Sequence, residues 1–496
     1  MSRRQSGVNG ETCGRGDGGR SQSLHSTEAA GAARSVDSKA TPREGRQEGG
    51  DVKAGMKQAA APEVSARTRQ GAETHGRNWA WVEASVWTER MLSALDNGVK
   101  GSQWFSLVDK VSRPTTLQAA WHKVVRNGGA AGVDRQSIER FAAKSEQYLD
   151  ELAQSLRSNR YVPQAVRRVE IPKGEGKTRP LGIPTVKDRI VQTALKFVLE
   201  PIFEGQFREG SYGFRPGRGC KDALREVDRL LKDGYTQVVD ADLASYFDSI
   251  PHQRLMQRVE ERISDGAVLK LIGNFLKQDI MQEGRRWTAT GGTPQGAVIS
   301  PLLANIYLHP LDVRMEDKGY RMVRYADDFV VLCRSREAAL AALAEVQTWV
   351  QDNGLTLHPD KTHVGDCRQT GEGFDFLGYR FEAGQRYVRK KSLQRLKERL
   401  VERTKRTSGK SLARVISELN PLLKGWFAYF KHAPEWTFRM LDGQTRRRLR
   451  AMLRQQEKRP GLGHCRHDHQ RWPNAFFATA GLFAMHTAWL AARQSR

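Results

Sequence analysis

Two adjacent carboxylates interrupt an otherwise apolar run at Val323-Arg324-Tyr325-Ala326-Asp327-Asp328-Phe329-Val330-Val331-Leu332. β-Prone residues on both sides of a short polar centre predict a hairpin with Asp327 and Asp328 at its tip. Neighbouring like charges repel, so the pair needs either full solvation or a divalent cation that takes oxygen ligands. A third acid bears on the choice. The stretch Val238-Val239-Asp240-Ala241-Asp242-Leu243 alternates with period two, so that Val239, Ala241 and Leu243 share one face and Val238, Asp240 and Asp242 the other. Acids in so apolar a strand call for a cation or strong hydrogen bonds, unless the strand is an edge whose acids face water. If the two strands are neighbours in one sheet, Asp242 joins Asp327 and Asp328, with Asp240 in support. Tyr246-Phe247-Asp248 then places an aromatic ring beside them.

A chain of 496 residues with 39% hydrophobic content can bury two or three cores. Its formal charge of +25 points to a polyanionic partner. That charge is unevenly spread: Lys and Arg number 13 against 9 acids in residues 1–78, 42 against 39 in 79–380, and 26 against 8 in 381–496. The last quarter, at 26 − 8 = +18, is therefore the electrostatic arm, and its interleaved Trp and Tyr favour RNA or DNA over a merely solvated basic face. The five cysteines are scattered with no Cys-x-x-Cys pair, which argues for a reducing compartment and against a disulfide framework or zinc ribbon. No secretory signal is expected at the start, and no membrane span in the apolar stretch 475–492, which Gly481 and His486 interrupt.

Residues 1–75 lack aromatics and apolar periodicity and are expected to be disordered. Helical spacing begins at Trp79, and a helix is predicted over 143–158. Val166 to Pro172 reads as a strand, Lys173-Gly-Glu-Gly-Lys177 as a turn and Thr178 to Pro184 as a second strand. The ribbon suits either phosphates, through Lys177 and Arg179, or plain solvent. A helix is expected from Ile190 to near Pro201. Ser211-Tyr-Gly-Phe-Arg-Pro-Gly-Arg218 is a loop fit for close approach to nucleic acid or for an ordinary surface. Gly291-Gly-Thr-Pro-Gln-Gly296 delivers Gln295 and opens a buried helix. The spacing predicts a helix over 336–352, apolar at Leu340, Leu343, Val346 and Val350, then a strand and turn over 355–362 and a short strand over 374–379.

In order, Ile-Pro-Lys…Arg-Pro-Leu-Gly-Ile-Pro, Ser-Tyr-Gly-Phe-Arg-Pro, Asp-x-x-x-x-Phe-Asp, Thr-Pro-Gln-Gly…Ser-Pro, Tyr-Ala-Asp-Asp, Lys-Thr and Phe-Leu-Gly-Tyr resemble the blocks of group II intron reverse transcriptases across residues 79–490. The resemblance implies an α+β right-hand polymerase whose fingers and palm carry an antiparallel sheet, followed by a helical thumb or maturase domain. The implied segments are a helical extension at 76–160, fingers and palm at 161–382, the thumb/maturase domain at 383–458 and a C-terminal element at 459–496. Asp242, Asp327 and Asp328 would hold two Mg2+ ions, a metal that suits three oxygen ligands without His or Cys. Phe247 would screen the sugar 2′ position and Gln295 would line the nucleotide pocket. Lys177 and Arg179 would reach the triphosphate. Lys361 would protonate pyrophosphate, though an exposed lysine in a turn is the plainer reading.

Helices are predicted over 391–407, 412–432 and 436–458. Within them Lys424, Trp426 and Tyr429 suit either RNA or a core, and Arg446, Arg447, Arg448 and Arg450, with Arg215 from the earlier loop, would contact RNA phosphates. Many relatives end in an endonuclease with paired cysteines. Here His464-Cys-Arg-His-Asp-His469 lacks those pairs, and Arg471-Trp472-Pro473-Asn474 with the apolar tail resembles the C-terminal element of bacterial members without that domain; such a protein would need a nascent strand or another nick as primer. The implied function is RNA-directed DNA synthesis joined to intron splicing and retromobility. Its partners would be group II intron RNA, a DNA target and primer, and dNTPs, in a bacterial cytoplasm beside the nucleoid. A domesticated or defence-type reverse transcriptase and a non-catalytic splicing factor are the rival readings.

Overall fold

The computed structural model describes residues 79–97, 103–174, 177–288 and 291–494, so the expectation for residues 1–75 lies outside the described residues. Eleven strands follow one another along that part of the chain: β1 Val166–Gly174, β2 Lys177–Ile183, β3 Gln237–Asp242, β4 Asp279–Gln282, β5 Arg285–Thr288, β6 Arg321–Tyr325, β7 Asp328–Cys333, β8 His363–Asp366, β9 Phe374–Phe376, β10 Tyr379–Glu382 and β11 Gln385–Val388. They form three sheets, ordered β2-β1-β4-β5, β6-β7-β3-β8 and β11-β10-β9. The middle sheet is antiparallel throughout, as the right-hand polymerase expectation requires.

Alternation divides the packing of that sheet. Val239, Ala241, Leu243, Phe329, Val331 and Cys333 enter one apolar cluster with the N-terminal helices and the buried helix Ser300–Asp317. Val238, Val323, Val330 and Leu332 enter a second cluster. This second cluster also takes in the helix Cys220–Lys232 and the C-terminal helices Lys390–Arg403, Leu412–Phe430 and Glu435–Gln456. Asp240, Asp242 and Asp328 share the parity of the second face and lie toward the strand ends where its apolar residues run out.

Several elements depart from the sequence reading. The stretch around Trp81 to Trp87 is a series of turns rather than a helix. The helix expected to end near Pro201 runs through it, as Val186–Glu204. Proline lacks the N–H that would serve the carbonyl of Phe197, and the indole Nε1 of buried Trp87 donates to that oxygen instead, at 2.9 Å. The helix Arg336–Asp352 forms within its expected bounds, capped by Ser335 Oγ accepting from Ala338 N, but Leu340 is 51% exposed. Ala339 and Ala342 are buried in its place, because small side chains let the helix lie close to β3 and β7.

The strand expected over 355–362 is reduced to a single bridge between Leu357 and Leu243, and the paired strand β8 comes later. The segment 374–379 is a hairpin, not one strand: Leu377 and Gly378, at φ +47° and +84°, turn β9 into β10. Among the described residues, no helix is long and apolar enough to cross a membrane.

Candidate functional site

Register brings the acids together. Asp242, the last residue of β3, pairs directly with Asp328, the first of β7, and Asp327 occupies the turn between β6 and β7. All three are half-buried. Burial pushes the Asp328 carboxyl up to about 7, and the nearby charges of Asp240, Asp327 and Asp242 push it the same way. Asp240 is also raised to about 7, first by burial and then by Asp375 and Asp242. Asp327 is raised by burial and by Asp242, against the opposing pull of Lys361 and Arg324. The cluster is thus short of positive charge.

One cation already meets that shortage. The backbone N–H of His358 donates to Asp242 O at 2.7 Å, and three residues on the Lys361 ammonium donates to Asp242 Oδ2 at 2.6 Å. Asp242 thus already carries a positive partner, whose charge also reaches Asp327. Among the described residues, no three His, Cys, Asp or Glu side chains close into a metal cage made by protein alone. Open, carboxylate-only sites of this kind suit Mg2+, which retains water and completes its shell with substrate phosphates.

The segments expected to line a nucleotide pocket are joined by backbone bonds. Thr293 N donates to Phe247 O at 2.6 Å, Gly292 N to Ile250 O at 2.8 Å, and Gly182 N to Gln295 O at 2.7 Å. Gly292, at φ +85°, sits so close to the Phe247–Asp248 backbone that a Cβ would lie 2.7 Å from Phe247 O. Three separated blocks are therefore locked around Phe247 and Gln295. The Gln295 amide donates to Asp248 Oδ2 at 3.2 Å, a partner the sequence reading had not assigned to it. Arg179 is exposed on β2, opposite Ile171. Lys177 opens β2 opposite Gly174, and its side chain lies outside the described residues.

The expected RNA contacts divide. Arg215 is buried: its Nε and Nη2 donate to Glu204 and its Nη1 to the carbonyls of Arg208 and Ser211, so it ties the loop to a helix and faces no phosphate. Arg450 is 2% exposed, with Nε on Trp472 O and Nη2 on Asn474 Oδ1, and it too is spent inside the fold. Arg448 is largely committed to Thr404, donating to its Oγ1 at 2.6 Å. Lys424 is exposed, and Arg446 and Arg447 are half-buried, with Arg447 Nη1 3.0 Å from His464 Nε2. Trp426 and Tyr429 are half-buried and pack against the second apolar cluster, where the Tyr429 hydroxyl donates to Leu377 O at 2.8 Å. Asp468 of the His/Cys-rich segment accepts from Arg454 Nη1 at 2.6 Å and from Cys465 Sγ at 3.1 Å.

Residues 171–381 match the family described as reverse transcriptase (RNA-dependent DNA polymerase). Residues 393–472 match the group II intron maturase-specific domain. Protein YkfC of Escherichia coli (strain K12) is 35% identical over 342 residues, 61% of this chain and 85% of that protein. The group II intron-encoded protein LtrA of Lactococcus lactis subsp. cremoris is 39% identical over 203 residues, which are 40% of this chain but 33% of LtrA. Among solved structures, a partial Cas6-RT-Cas1--Cas2 complex is similar at 26% identity over 49% of this chain and 42% of that one, with a TM-score of 0.33. Polymerases of this family work with divalent metal, and their maturase domain implies binding of intron RNA. The chain belongs to the group II intron-encoded reverse transcriptase/maturase family and is an RNA-directed DNA polymerase.

Proposed function

We propose that the chain binds group II intron RNA, promotes its splicing and copies it into DNA during retromobility, using Asp242, Asp327 and Asp328 as the ligands of two Mg2+ ions. The register that sets Asp242 against Asp328, with Asp327 on the adjoining turn, is the observation that carries this reading. Held there, two magnesium ions would polarise the primer 3′-hydroxyl and the departing pyrophosphate oxygen of an in-line displacement.

The protein's own groups do the rest. Phe247, fixed through its carbonyl by Thr293 N, screens the sugar 2′ position and selects dNTPs. Gln295 lines the base and sugar side of the pocket, steadied by Asp248. Lys177 and Arg179 reach the triphosphate from the β1–β2 ribbon. Lys361 carries a proton on Nζ and leaves Asp242 to give it to pyrophosphate. Lys424, Arg446 and Arg447 meet RNA phosphates outside the polymerase centre.

The direct test is an Asp327→Ala/Asp328→Ala variant assayed with RNA template, DNA primer, dNTPs and Mg2+. Synthesis should be lost while binding to intron RNA and splicing persist. Undiminished synthesis would refute the assignment of these acids.

A further inference from the structure

Arg324 stands on β6, three residues before Asp327, and none of its surface is exposed. A guanidinium stays charged at all ordinary pH, so its burial requires an acceptor for each of its five N–H groups. All five are satisfied. Nε donates to Asp312 Oδ1 at 2.7 Å and Nη2 to Asp312 Oδ2, a two-pronged ion pair. Nη2 also donates to Ser211 Oγ at 2.8 Å. Nη1 donates to Asn305 Oδ1 at 3.0 Å and to the carbonyl of Ala326 at 2.9 Å.

These acceptors come from three separate places: the helix Ser300–Asp317, the loop that begins at Ser211, and the turn carrying the acids. The Ala326 contact is the informative one. Ala326 holds φ +61°, a left-handed conformation that a side-chain-bearing residue keeps only when its surroundings impose it. Gly213 presses on the same residue, and a Cβ there would lie 2.2 Å from Ala326 N. Asn305 completes the circuit by donating Nδ2 to Gly213 O at 2.8 Å. The strand itself is pinned, with Arg324 N donating to Gly210 O and Tyr212 N to Arg324 O, each at 2.8 Å.

We infer that Arg324 is the positioning residue of the polymerase centre: its guanidinium holds the Ala326 carbonyl, and through it the left-handed turn that presents Asp327 and Asp328 opposite Asp242. The inference rests on the proposed reading of those acids as catalytic. A buried ion pair kept only for stability can be exchanged for packed apolar side chains without loss, whereas a guanidinium that orients a carbonyl cannot. Lysine keeps the charge, but one ammonium cannot serve Asp312, Asn305, Ser211 and Ala326 together.

The test uses the full chain with Arg324→Lys and with Arg324→Met/Asp312→Leu, beside Asp327→Ala. For the double variant, template-primer affinity in EDTA should stay near wild type, with a lowered melting temperature because Asn305 Oδ1 and Ala326 O lose their donor. The kcat for single-nucleotide addition should fall about 100-fold, with KM for dNTP changed by no more than about threefold, the signature of misplaced reacting groups. Arg324→Lys should lose about tenfold in kcat at an unchanged folded fraction. A folded double variant with kcat within about twofold of wild type overturns the inference, because stability was then the only role. If the double variant does not fold, Arg324→Lys decides, and a loss of kcat no greater than its loss of folded protein overturns it. An active Asp327→Ala would instead overturn the reading of the acids themselves.

Discussion

In the proposed mechanism the Lys361 ammonium has two duties that exclude each other in time, since it cannot neutralise Asp242 and protonate a leaving group at one moment. Lys361→Met is expected to slow nucleotide addition by about 10²-fold, the scale of a lost general acid, without weakening template-primer binding. Rapid-quench addition rates within twofold of wild type would deny Lys361 that role. Asp188 offers a pH-dependent test away from the centre. It is fully buried, accepts hydrogen bonds from Tyr161 Oη and Thr185 Oγ1 at 2.7 Å each, and burial pushes its carboxyl up to about 6. Its folded pKa lies above the value of about 3.9 in an unfolded chain, so its stabilising contribution is complete below about pH 4 and is lost as pH rises through 6. Two units amount to about 3 kcal/mol, so Asp188→Asn should gain that much on wild type between pH 4 and 7 in denaturant titrations. A constant difference across that range would refute the assignment. Single residues were unevenly legible in the sequence. The acids of β3 could be read because a strand's period of two assigns each residue a face. Arg215 and Arg450 could not, because charge says nothing of burial, and the partners Glu204, Trp472 and Asn474 meet them only in the fold.

Elements show how locally forbidden arrangements are rescued from a distance. Trp87→Phe removes the donor to the Phe197 carbonyl and should cost about 1–2 kcal/mol, the penalty of a buried acceptor left alone. The same change made with Pro201→Ala should cost less, because alanine restores the helical N–H. A double-mutant cycle that shows no coupling would exclude the arrangement. Gly292→Ala is expected to push on the Phe247–Asp248 backbone and so loosen the proposed sugar screen, lowering the preference for dNTP over rNTP by about tenfold. Single-addition assays with each nucleotide measure that ratio. Turn chemistry explains most of the differences from the sequence reading at this scale. The β9–β10 hairpin turns at Leu377-Gly378, and leucine is a poor advertisement for a positive φ, so one strand was the natural expectation. The Arg336–Asp352 helix was legible in its ends and in Leu343, Val346 and Val350, which face the core, but not at Leu340, because the buried alanines Ala339 and Ala342 carry a weaker apolar signal than an exposed leucine.

For the molecule as a whole, charge and packing place different demands on the C-terminal helices. Their cations include exposed Lys424 and half-buried Arg447, alongside Arg450, which is sealed inside the fold. Lys424→Gln/Arg447→Gln should therefore flatten the slope of log affinity against log salt for intron RNA by about 1–2, at close to one counterion per phosphate contact. Arg450→Gln should leave that slope alone and lower the melting temperature. The reverse pattern in salt titrations and thermal melts would overturn the division. The basic last quarter was visible from composition, but how it attaches was not. The second apolar cluster runs without a break from Val238, Val330 and Leu332 under the acid-bearing strands to Leu419, Leu423, Phe438 and Leu441. A graft that exchanged the C-terminal helices for a relative's would thus also exchange part of the lining beneath the palm. Over evolutionary time, a lineage that replaced those helices would have to repack the floor of its own palm in the same step.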